Sequence, residues 1–514
     1  MHDVVIVGAG TAGCVLASRL SENPDLSVLL IEAGPRSRKL EIKIPAAFSR
    51  LYRTDLDWGF ATAPQSALDG RELVYPLGRM LGGCASMNAM IVARGNRLDY
   101  DDWAAAAQGW AWADVEPFYA KSARGPFAIV DQRDRSPLSD AFVAAAQATG
   151  IPFRADLNDP DNEGVGVVRV SQRRGARFSV ADGYLRPAMR RPNLTVQTGA
   201  LATRILLEGT RAVGVSVRVE GDEEHALASR SVILTAGAVN TPRLLQLSGI
   251  GPRDVLDEAG VPLVHELPGV GAGLRDHIAS GVVVRTRPGV GTLTSAGSTW
   301  NTLRWLLLRR GPLTSNLGEA LAFVRTSPSL AAPDLELVFA PVPFEEEGLK
   351  EPTEHGVTIG VVQLQPRSTG SVRIRSADPD VPPVVDPAFL REPEDLEFLL
   401  HGLRLARRIA AEEPLASFLA DEMLPGDEIQ DDEGLRAHIR ARSQTLYHPV
   451  ASCRMGIDDA AVVDPELRVR GVDQLRIADA SVMPFLPRGH TNWPTVMIAE
   501  RAADLIAGAT PTRG

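Results

Sequence analysis

The sequence predicts an α/β protein with two sheets of different construction: a parallel sheet formed by both ends of the chain and an antiparallel sheet in the middle. Three observations predict this arrangement. The N-terminal segment alternates strand, helix and strand, the segment from about 276 to 445 has closely spaced strands separated by turn residues, and the chain ends on a strand followed by a helix. Parallel strands need a crossover between them, whereas closely spaced strands pair as antiparallel neighbours.

Length and composition indicate a globular protein of more than one domain. The chain has 514 residues, of which 44% are hydrophobic and 23% are charged. A chain of this size buries a large core without disulfides or metals, and the composition excludes a disordered chain, a collagen-like fibre and a coiled coil. The formal net charge of −10 argues against a general nucleic-acid or anionic-membrane binder.

The cysteines and the apolar runs of the sequence predict a cytoplasmic protein. Cys14, Cys84 and Cys453 are far apart and form no CxxC pair, so neither a disulfide framework nor a zinc site is expected, and no metal is predicted. No stretch reaches the ~20 apolar residues that a membrane helix needs. The N-terminus carries Asp3 where a signal peptide has positive charge, and we interpret it as mature structure.

The first two predicted strands flank a helix. Val4–Val7 is a short β-branched run of the kind found in buried parallel strands, Cys14–Leu20 is predicted to be helical, and Ser27–Ile31 is the second strand. Between the first strand and the helix lies a GxGxxG motif, formed by Gly8, Gly10 and Gly13.

The GxGxxG spacing predicts a Rossmann-like dinucleotide-binding domain. Gly8 permits the tight turn, Gly10 lets the backbone approach a pyrophosphate, and Gly13 lets the helix pack closely on the strand. The N–H groups at the start of the helix attract phosphate. Glu32 ends the second strand, where its carboxylate can bind ribose hydroxyls and would repel the 2′-phosphate of NADP. NAD and FAD both remain open at this point.

Later segments return to the same pattern after an interruption. Arg230–Thr235 is an apolar strand that leads into a helix at Pro242–Leu247, and Gln474–Ile477 and Thr495–Ala507 are the last predicted strand and helix. Arg124–Arg177, like Pro35–Pro64, is expected to be an irregular excursion. The antiparallel strands and amphipathic helices predicted in the middle are GVVVRTR, LELVFAPV, GVTIGVVQLQP and GSVRIRS, and Asp395–Glu412 and Glu433–Ser443.

The nucleotide-binding domain is therefore predicted to be discontinuous. It comprises residues 1–150, 185–275 and 445–514, and the substrate-binding domain comprises residues 151–184 and 276–444. Because ligands of open α/β sheets bind beyond the carboxyl ends of the parallel strands, we expect the second domain to cover that edge.

Four regions of the chain carry long, specific motifs. They are VVIVGAGTAGCVLASRLSE with VLLIEAG near the N-terminus, GRMLGGCASMNAMIVARGN at 78–96, GAVNTPRLLQLSGIG at 237–251, and YHPVASCRMG with DASVMPFLPRGHTNWPTVMIAERAADLI near the C-terminus. Together these motifs resemble the glucose–methanol–choline (GMC) oxidoreductase family of FAD enzymes. The resemblance implies FAD rather than NAD, bound by a Rossmann-like FAD-binding domain, with an α+β substrate domain that contains an antiparallel sheet.

By position in these motifs, the resemblance also implies how FAD is bound. Thr11 and Ala12 approach the pyrophosphate, Glu32 the adenosine ribose, and Ala202 the adenine through its backbone. Some relatives hold the flavin covalently through a histidine, but Met87 stands at that position here, so non-covalent FAD is predicted. The other implied cofactor contacts are Ala33, Gly82, Gly83, Asn88, Ala89, Met90, Ile91, Ala236, Tyr447, Asp479, Ala480 and Asn492, beside Gly8, Gly10 and Gly13.

The implied reaction needs a base. Oxidation of an alcohol removes a hydroxyl proton and a hydride, and histidine, with a reference pKa near ~6.5, is suited to accept the proton. The resemblance assigns His448 as the proton acceptor and His490 as the residue that orients the hydroxyl and stabilises developing alkoxide. Asn492 also fits the second position, but its spacing from Asp504 favours a flavin contact. Adjacent imidazoles titrate together, so the choice of base stays open. His277 is interpreted as structural.

The predicted function is FAD-dependent oxidation of a primary alcohol, such as an aryl or furanic alcohol, to the aldehyde. His-assisted proton removal accompanies hydride transfer to flavin N5, and O₂ or another acceptor reoxidises the flavin. Open alternatives are a hydroxynitrile-lyase-type enzyme that contains FAD, a dehydrogenase that does not use O₂, a flavin-binding protein without turnover and an NAD dehydrogenase. Aromatic residues make up only 5% of the chain, so a cage for a quaternary ammonium group is not evident. The predicted partners are the alcohol and the acceptor, with no nucleic acid and no membrane span, in a monomer or small homo-oligomer.

Overall fold

A computed structural model describes residues 1–508 of the chain, apart from the side chain of Glu347. Within these residues the strands form two seven-stranded sheets and several small ones. The α-helices of the described residues are α1 Thr11–Leu20, α2 Arg97–Ala106, α3 Trp112–Arg124, α4 Pro137–Ala148, α5 Arg186–Ala188, α6 Gly237–Leu247, α7 Arg253–Ala259, α8 Thr299–Leu308, α9 Pro393–Ala410, α10 Asp432–Arg442 and α11 Asn492–Ala507.

The first large sheet contains the predicted nucleotide-binding strands. His2–Val7 pairs in parallel with Val28–Glu32 on one side and with the end of Asp222–Leu234 on the other, so that Val5 lies opposite Val232. The last four residues of the first strand and all of the second are buried, as parallel strands require. In order across the sheet the strands are Leu194–Thr198, Val28–Glu32, His2–Val7, Asp222–Leu234, Arg211–Val219 and Ala200–Glu208, with Leu475–Ile477 paired to Asp222–Leu234.

The long strand Asp222–Leu234 joins the N-terminal and C-terminal parts of this sheet. Its first half pairs antiparallel with Arg211–Val219, and its second half pairs in parallel with His2–Val7 and Leu475–Ile477. The C-terminal helix α11 packs on α1, the helix that follows the first strand. Both ends of the chain therefore build one Rossmann-like unit, which confirms the predicted fold class.

The second large sheet is antiparallel throughout, as predicted for the middle of the chain. Its central strand Gly356–Gln363 pairs with Ile278–Thr286 and with Leu335–Ala340. α9 and α4 pack on this sheet, and Phe142 of α4 stacks on Phe339 with ring centroids 4.8 Å apart. In order across the sheet the strands are Leu419–Leu424, Ile278–Thr286, Gly356–Gln363, Leu335–Ala340, Ala320–Val324 and Gly164–Val167, with Gln444–Thr445 paired to Ile278–Thr286.

The segment Arg124–Arg177 is not an irregular excursion, which corrects the expectation from its sequence. It contains α4, and the Ser136 hydroxyl oxygen accepts a hydrogen bond from the backbone N–H of Leu138 in the first turn. Leu138 and Phe142 are buried on its inner face. The helix was missed because alanine supplies most of its apolar face, so its stability depends on the sheet beneath it rather than on a strong local pattern.

Two segments pack across the predicted domain boundaries. α4 lies within residues 1–150, predicted for the nucleotide-binding domain, but packs on the antiparallel sheet. The helical turn Ala181–Leu185 lies almost entirely within 151–184, predicted for the substrate domain, but packs on α1. The sequence assigned both segments to a domain by their position along the chain. The hydrophobic core on which a segment packs depends instead on contacts between residues distant in the sequence.

The remaining elements are short connections. Among them, Gly370–Arg373 pairs with Ala272–Leu274 and Val384–Asp386 in a separate sheet, so the predicted strand GSVRIRS does not extend the middle sheet. The other short strands are Phe60–Ala61, Val74–Tyr75, Ile91–Val92, Val130–Asp131, Arg169–Val170, Gln172–Arg173, Ala176–Arg177, Ile250–Gly251 and His265–Glu266. The 3₁₀-helices are Leu40–Ile42, Pro45–Leu51, Ser66–Leu68, Gly83–Ser86, Leu293–Ser295, Pro312–Thr314, Glu346–Gly348, Ala416–Phe418 and Ala480–Val482.

None of the helices in residues 1–508 combines the length and apolar character needed to cross a membrane. In the same residues, no group of three or more His, Cys, Asp and Glu side chains is arranged to hold a metal ion.

Candidate active site

One continuous cavity connects the carboxyl ends of the parallel strands with the antiparallel sheet. Its wall includes Val7 and Glu32, at the ends of two parallel strands, and Val338 and Gly360 of the antiparallel sheet. This is the edge at which open α/β sheets bind ligands. The residues predicted for the site that line the cavity are Gly8, Gly10, Thr11, Ala12, Glu32, Ala33, Gly83, Asn88, Ala89, Met90, Ile91, Ala202, Ala236, Tyr447, His448, Asp479, Ala480, His490 and Asn492.

Two predicted glycines lie behind the cavity wall. A Cβ atom on Gly13 would lie 1.9 Å from the carbonyl oxygen of Gly8, so Gly13 lets α1 approach the preceding turn. Gly82 has a φ of +92°, and a Cβ atom there would lie 2.2 Å from Oγ of Ser86. Both positions shape the backbone that forms the wall and do not face the cavity.

Two helices begin at the centre of the cavity without a capping side chain. α1 begins after Gly10 and α11 begins after Thr491, and within residues 1–508 no side chain is described that accepts from the first N–H groups of either helix. Oγ1 of Thr11 donates to Oδ1 of Asn492 at 2.8 Å, which holds the two helix starts together. Uncapped N–H groups and the positive ends of two helix dipoles favour an anion. The arrangement fits the pyrophosphate of a dinucleotide.

Two buried carboxylates fix the backbone around this anion site. Oε2 and Oε1 of Glu32 accept from the backbone N–H groups of Ala9 at 2.9 Å and Gly34 at 2.8 Å. Oδ2 of Asp479 accepts from the N–H of Gly237 at 2.8 Å. Burial raises the pKa of Glu32 to about 7 and also raises the pKa of Asp479. Because Glu32 lines the cavity, as Ala202 does, its remaining lone pairs are available to ribose hydroxyls there.

His448 is held at the other end of the cavity through its backbone. Its N–H donates to Oδ1 of Asp276 at 2.7 Å, and Oδ2 of Asp276 accepts from the hydroxyls of Tyr75 and Thr445 at 2.5 and 2.6 Å. Burial raises the pKa of Asp276 to about 6. Burial also holds the pKa of His448 well below its ordinary value, so the ring is neutral and can accept a proton.

The tautomer of His448 follows from its contact with His277. Nε2 of His277 lies 3.0 Å from the carbonyl oxygen of Leu364, and Nδ1 of His277 lies 2.9 Å from Nδ1 of His448. A carbonyl oxygen only accepts, so Nε2 of His277 carries a proton. Burial lowers the pKa of His277 to about 3, so its Nδ1 has no proton. Nδ1 of His448 is therefore the donor, and Nε2 of His448 is left with a free lone pair.

His490 contacts a carboxylate instead of an imidazole. Its Nε2 lies 2.8 Å from Oε1 of Glu336, whose side chain is fully buried. Oε2 of Glu336 has no hydrogen-bond partner within the part of the chain that the structure describes. The ring centroids of His448 and His490 are 4.8 Å apart, so the two imidazoles flank one small site in the cavity.

A buried guanidinium lies behind the residues predicted to contact the flavin. Nη1 of Arg177 donates to Oδ1 of Asn88 at 2.8 Å and to the carbonyl of Ala85 at 3.3 Å, while its Nε donates to the carbonyl of Ile42 at 3.0 Å. Burial lowers the pKa of Arg177 to about 9, which leaves it charged at neutral pH. Arg177 therefore sets the orientation of the Asn88 amide and places a positive charge near the cavity.

Sequence reasoning did not identify Glu336 or Arg177, and it interpreted His277 as structural. A signal was present for Glu336, because LELVFA places one carboxylate among apolar residues of a strand and a buried charge needs a partner. His277 follows Asp276 in LRDHI, two polar residues immediately before a strand. Arg177 had no comparable signal, since it follows Arg173 and Arg174 in a short arginine-rich stretch.

Aromatic side chains form much of the wall beyond the histidines. Phe48, Tyr52, Phe344 and Tyr447 line the cavity. The ring centroids of Phe48 and Tyr52 are 6.1 Å apart, and those of Tyr52 and Tyr447 are 5.8 Å apart. The low aromatic content of the sequence gave no indication of this cluster, because its members come from three distant segments.

The sequence matches models of one protein family along most of the chain. Models of the N-terminal and C-terminal domains of GMC oxidoreductases match residues 2–279 and 366–499. The chain belongs to the GMC oxidoreductase family. This confirms the resemblance found in the sequence motifs, and it establishes the protein as an FAD-dependent oxidoreductase that acts on CH–OH groups. The uncapped helix starts and the small residues of the cavity wall fit that cofactor.

Similar proteins span the full length of the chain. An uncharacterized GMC-type oxidoreductase of Mycobacterium tuberculosis is 47% identical over 98% of this chain and 99% of its own. An alcohol dehydrogenase (acceptor) of Pseudomonas putida is 40% identical over 98% of this chain and 96% of its own. The crystal structure of pyridoxine 4-oxidase from Mesorbium loti has a TM-score of 0.91 and 31% identity, covering 99% of this chain and all of the other.

Proposed function

We propose that this GMC oxidoreductase oxidises an uncharged primary alcohol, such as an aryl or furanic alcohol, to the aldehyde, with His448 as the base. The observation that supports this assignment is the hydrogen-bonded chain from Leu364 through His277 to His448. It leaves Nε2 of His448 unprotonated in a cavity that His490 also lines. A neutral imidazole with a fixed free lone pair is what proton removal from a hydroxyl requires.

The two histidines divide the work on the hydroxyl group. Nε2 of His448 accepts the hydroxyl proton, while His490 orients the same hydroxyl group from the other side of the site. Glu336 fixes the orientation of the His490 ring by accepting from its Nε2 at 2.8 Å. FAD, held at the starts of α1 and α11 and by Glu32, would supply the hydride acceptor for the alcohol carbon and would be reoxidised by O₂ or another acceptor. Removal of water from this cavity strengthens each of these polar contacts.

The cavity wall supports an alcohol with an apolar or aromatic body. Phe48, Tyr52 and Phe344 provide flat apolar surfaces that stack on a ring. Two similar proteins agree with this class: the one from Pseudomonas putida is named for an alcohol, and the one from Mesorbium loti for pyridoxine, an aromatic molecule that carries hydroxymethyl groups. FAD is proposed to be non-covalent because the thioether of Met87 cannot form the histidyl link. Acid precipitation then releases all of the flavin into solution.

The proposal is tested by anaerobic mixing of the FAD-loaded enzyme with benzyl alcohol, 5-hydroxymethylfurfural, hexanol and choline. Bleaching of the flavin absorbance identifies substrates, and the rate of recolouring in air separates an oxidase from a dehydrogenase. We expect the uncharged alcohols to bleach the flavin faster than choline. A flavin that stays oxidised with every alcohol supports the lyase alternative instead.

A pair of variants tests the base. His448→Ala should retain FAD and lose bleaching by about 10³-fold or more, within the range for a general base. His401→Ala changes an exposed histidine of α9 and should bleach as fast as the parent. If His448→Ala reduces flavin at the parental rate, the assignment of the base is wrong.

A further inference from the structure

α8 presents apolar side chains to solvent. Trp300 and Leu307 are 71% and 72% exposed, and Trp305 is the buried residue of this ten-residue helix. Helices on the surface of globular proteins normally turn their apolar side chains toward the core. The exposed apolar residues of this helix, called the α8 face below, are Trp300, Leu303, Leu306, Leu307 and Leu308.

The outward direction of the α8 face is fixed by packing. Trp305 packs with Ile44 and Ala47, and its Nε1 donates to the carbonyl of Gly175 at 2.8 Å. The guanidinium carbon of Arg309 lies 3.7 Å from the centroid of the Trp305 ring. Because these contacts anchor the opposite side of the helix, the apolar side chains are held outward by a specific tertiary arrangement.

The C-terminal end of α8 is positively charged. Residues 298–311 contain Arg304, Arg309 and Arg310 and no acidic residue. Arg310 pairs with Asp134 at 2.7 Å, whereas Arg304 forms no ion pair with the described residues. Arg304 therefore directly borders the exposed leucines, whereas Arg309 lies against Trp305 on the other side of the helix.

Neighbouring segments extend this basic end. A Cβ atom on Gly175 would lie 2.4 Å from the carbonyl oxygen of Arg309 and 3.3 Å from Cδ of Arg133, so Arg133 and Arg174 lie beside the end of α8. At the other end of the helix, the acidic side chain of Glu351 is paired with Arg50. The charge next to the apolar face is thus mainly positive, although the chain as a whole carries −10.

We propose that the α8 face docks on an anionic lipid bilayer, with its tryptophan and leucines in the interface and the surrounding arginines on headgroup phosphates. A short helix with Trp and Leu on one face and basic residues beside it is the composition of interfacial membrane-binding helices. A second copy of the chain fits less well, because a two-fold contact would bring the same arginines together with no acidic residue of the face to pair them. This docking lies on the surface of the lipid and crosses no membrane.

The net negative charge of the whole chain does not prevent α8 from binding to an anionic lipid surface. Charges separated by more than about 10 Å are largely screened at ordinary ionic strength, so the local arginines decide the interaction. The expectation from net charge therefore applies to the surface as a whole and not to α8.

One short helix, Pro45–Leu51, separates α8 from the cavity, since its Ala47 packs with Trp305 and its Phe48 lines the cavity. Docking does not depend on which alcohol is the substrate.

The test is sedimentation of the FAD-loaded full-length enzyme with vesicles of phosphatidylglycerol and phosphatidylcholine, and with vesicles of phosphatidylcholine alone. We expect the mixed vesicles to bind the enzyme more strongly, and salt to weaken that binding. The double variant Leu303→Asp/Leu307→Asp should lower the bound fraction about tenfold or more, because two charges then face the hydrocarbon boundary. Arg304→Glu should weaken binding to the anionic vesicles and leave binding to phosphatidylcholine unchanged.

A matched variant controls for general loss of surface apolarity. Ile457 is 70% exposed and lies outside α8, and Ile457→Asp should bind vesicles as the parent does. Parental flavin absorbance and bleaching rate with a water-soluble alcohol show that each variant is folded. The proposal is overturned if the parent binds neither vesicle, or if Ile457→Asp loses binding as strongly as the leucine variant. It is also overturned if the leucine variant only converts a dimer into a monomer in sedimentation velocity, which would assign the α8 face to a second copy of the chain.

Discussion

The two halves of the cavity are built from different parts of the polypeptide. The half next to the parallel sheet is formed mainly by backbone and small residues, and its carboxylates, Glu32 and Asp479, are bonded to backbone N–H groups. The half next to the antiparallel sheet is formed by side chains paired with other side chains, His448 with His277 and His490 with Glu336. The first half is suited to hold a cofactor in place, and the second to move a proton.

This difference teaches how each half tolerates change. A backbone-built wall depends on local conformation, so a substitution there acts on binding and stability. A wall of paired side chains depends on which nitrogen carries each proton, so a substitution there acts on rate while the fold stays intact. Variants of the two halves should therefore separate into two groups, with different measured quantities affected in each.

Apart from loss of the base itself, the largest effect is expected from His277→Leu, in the side-chain half. This change removes the acceptor for the Nδ1 proton of His448, so the proton can move to Nε2 and block the base. We expect the rate constant for flavin reduction at saturating alcohol to fall about 100-fold, the size seen when an orienting hydrogen bond is lost. Anaerobic stopped-flow absorbance measures it, and KM for the alcohol should change much less than kcat.

His277→Gln is the matched control, because an amide keeps one donor and one acceptor at this position. It should recover a large part of the rate. FAD content should be unchanged in both variants, since His277 does not line the cavity. Parental rates in His277→Leu across pH 6 to 9 would show that the His277 contact does not set the tautomer of His448.

In the backbone half, Glu32→Gln should change stability with pH. Burial raises the pKa of Glu32 to about 7 in the folded protein. The folded state therefore binds this proton more tightly than the unfolded state, so the stabilisation is present below the unfolded pKa of ~4.3 and is lost as pH rises toward 7. Without FAD, the parent should lose about 3 kcal/mol relative to Glu32→Gln between pH 4 and pH 8.

Urea unfolding of the FAD-free proteins at several pH values measures this difference. Asp479→Asn tests the second carboxylate of the same half and should change in the same direction, since burial raises its pKa as well. Parallel pH profiles for parent and Glu32→Gln would contradict the proposed titration of Glu32. The same variant loses an acceptor for ribose hydroxyls, so its affinity for FAD should fall.

The contrast between the halves also explains what could be predicted from sequence. Gly8, Gly10, Gly13 and Glu32 lie within one strand–helix–strand unit, where spacing alone predicts the local fold and the ligand type. His448 and His490 were placed by the family motifs around them. The contacts that set the tautomer of His448 and orient His490 join residues 171 and 154 positions apart in the sequence, and no local pattern encodes such pairs.

The same reasoning applies to the elements of the fold. Strands and helices with strong periodicity, such as α9 and α11, were predicted close to their observed ends. α4 was missed because it is largely alanine, and its place on the antiparallel sheet depends on packing against Phe339. Domain membership of α4 and of Ala181–Leu185 is likewise a property of tertiary contacts and not of chain order.

A smaller effect in the side-chain half is expected from Glu336→Gln. The amide oxygen still accepts the hydrogen bond from Nε2 of His490, but the negative charge beside the ring is removed. We expect kcat to fall about tenfold, the value of one weakened charge-assisted hydrogen bond. Steady-state kinetics with a bleaching alcohol measures it. Glu319→Gln, which changes another fully buried carboxylate away from the cavity wall, should leave kcat unchanged and bring only a loss of stability.

The smallest effect is expected from Arg177→Met, which changes the buried residue behind Asn88. Arg177 places a buried positive charge behind Asn88, and reduced FAD is more negative than oxidised FAD. Removal of the charge should lower the midpoint potential by ~20 mV, under about 1 kcal/mol for a two-electron couple. Equilibration with dyes of known potential measures the shift, and Arg177→Lys should retain most of the parental value. The midpoint potential distinguishes the effect of the lost charge from the effect of lost packing. If Asn88 is merely loosened, oxidised and reduced FAD both bind more weakly, and the difference between their affinities, which sets the potential, does not change. If the midpoint potential of Arg177→Met is unchanged, Arg177 only holds Asn88 in position and does not affect the potential.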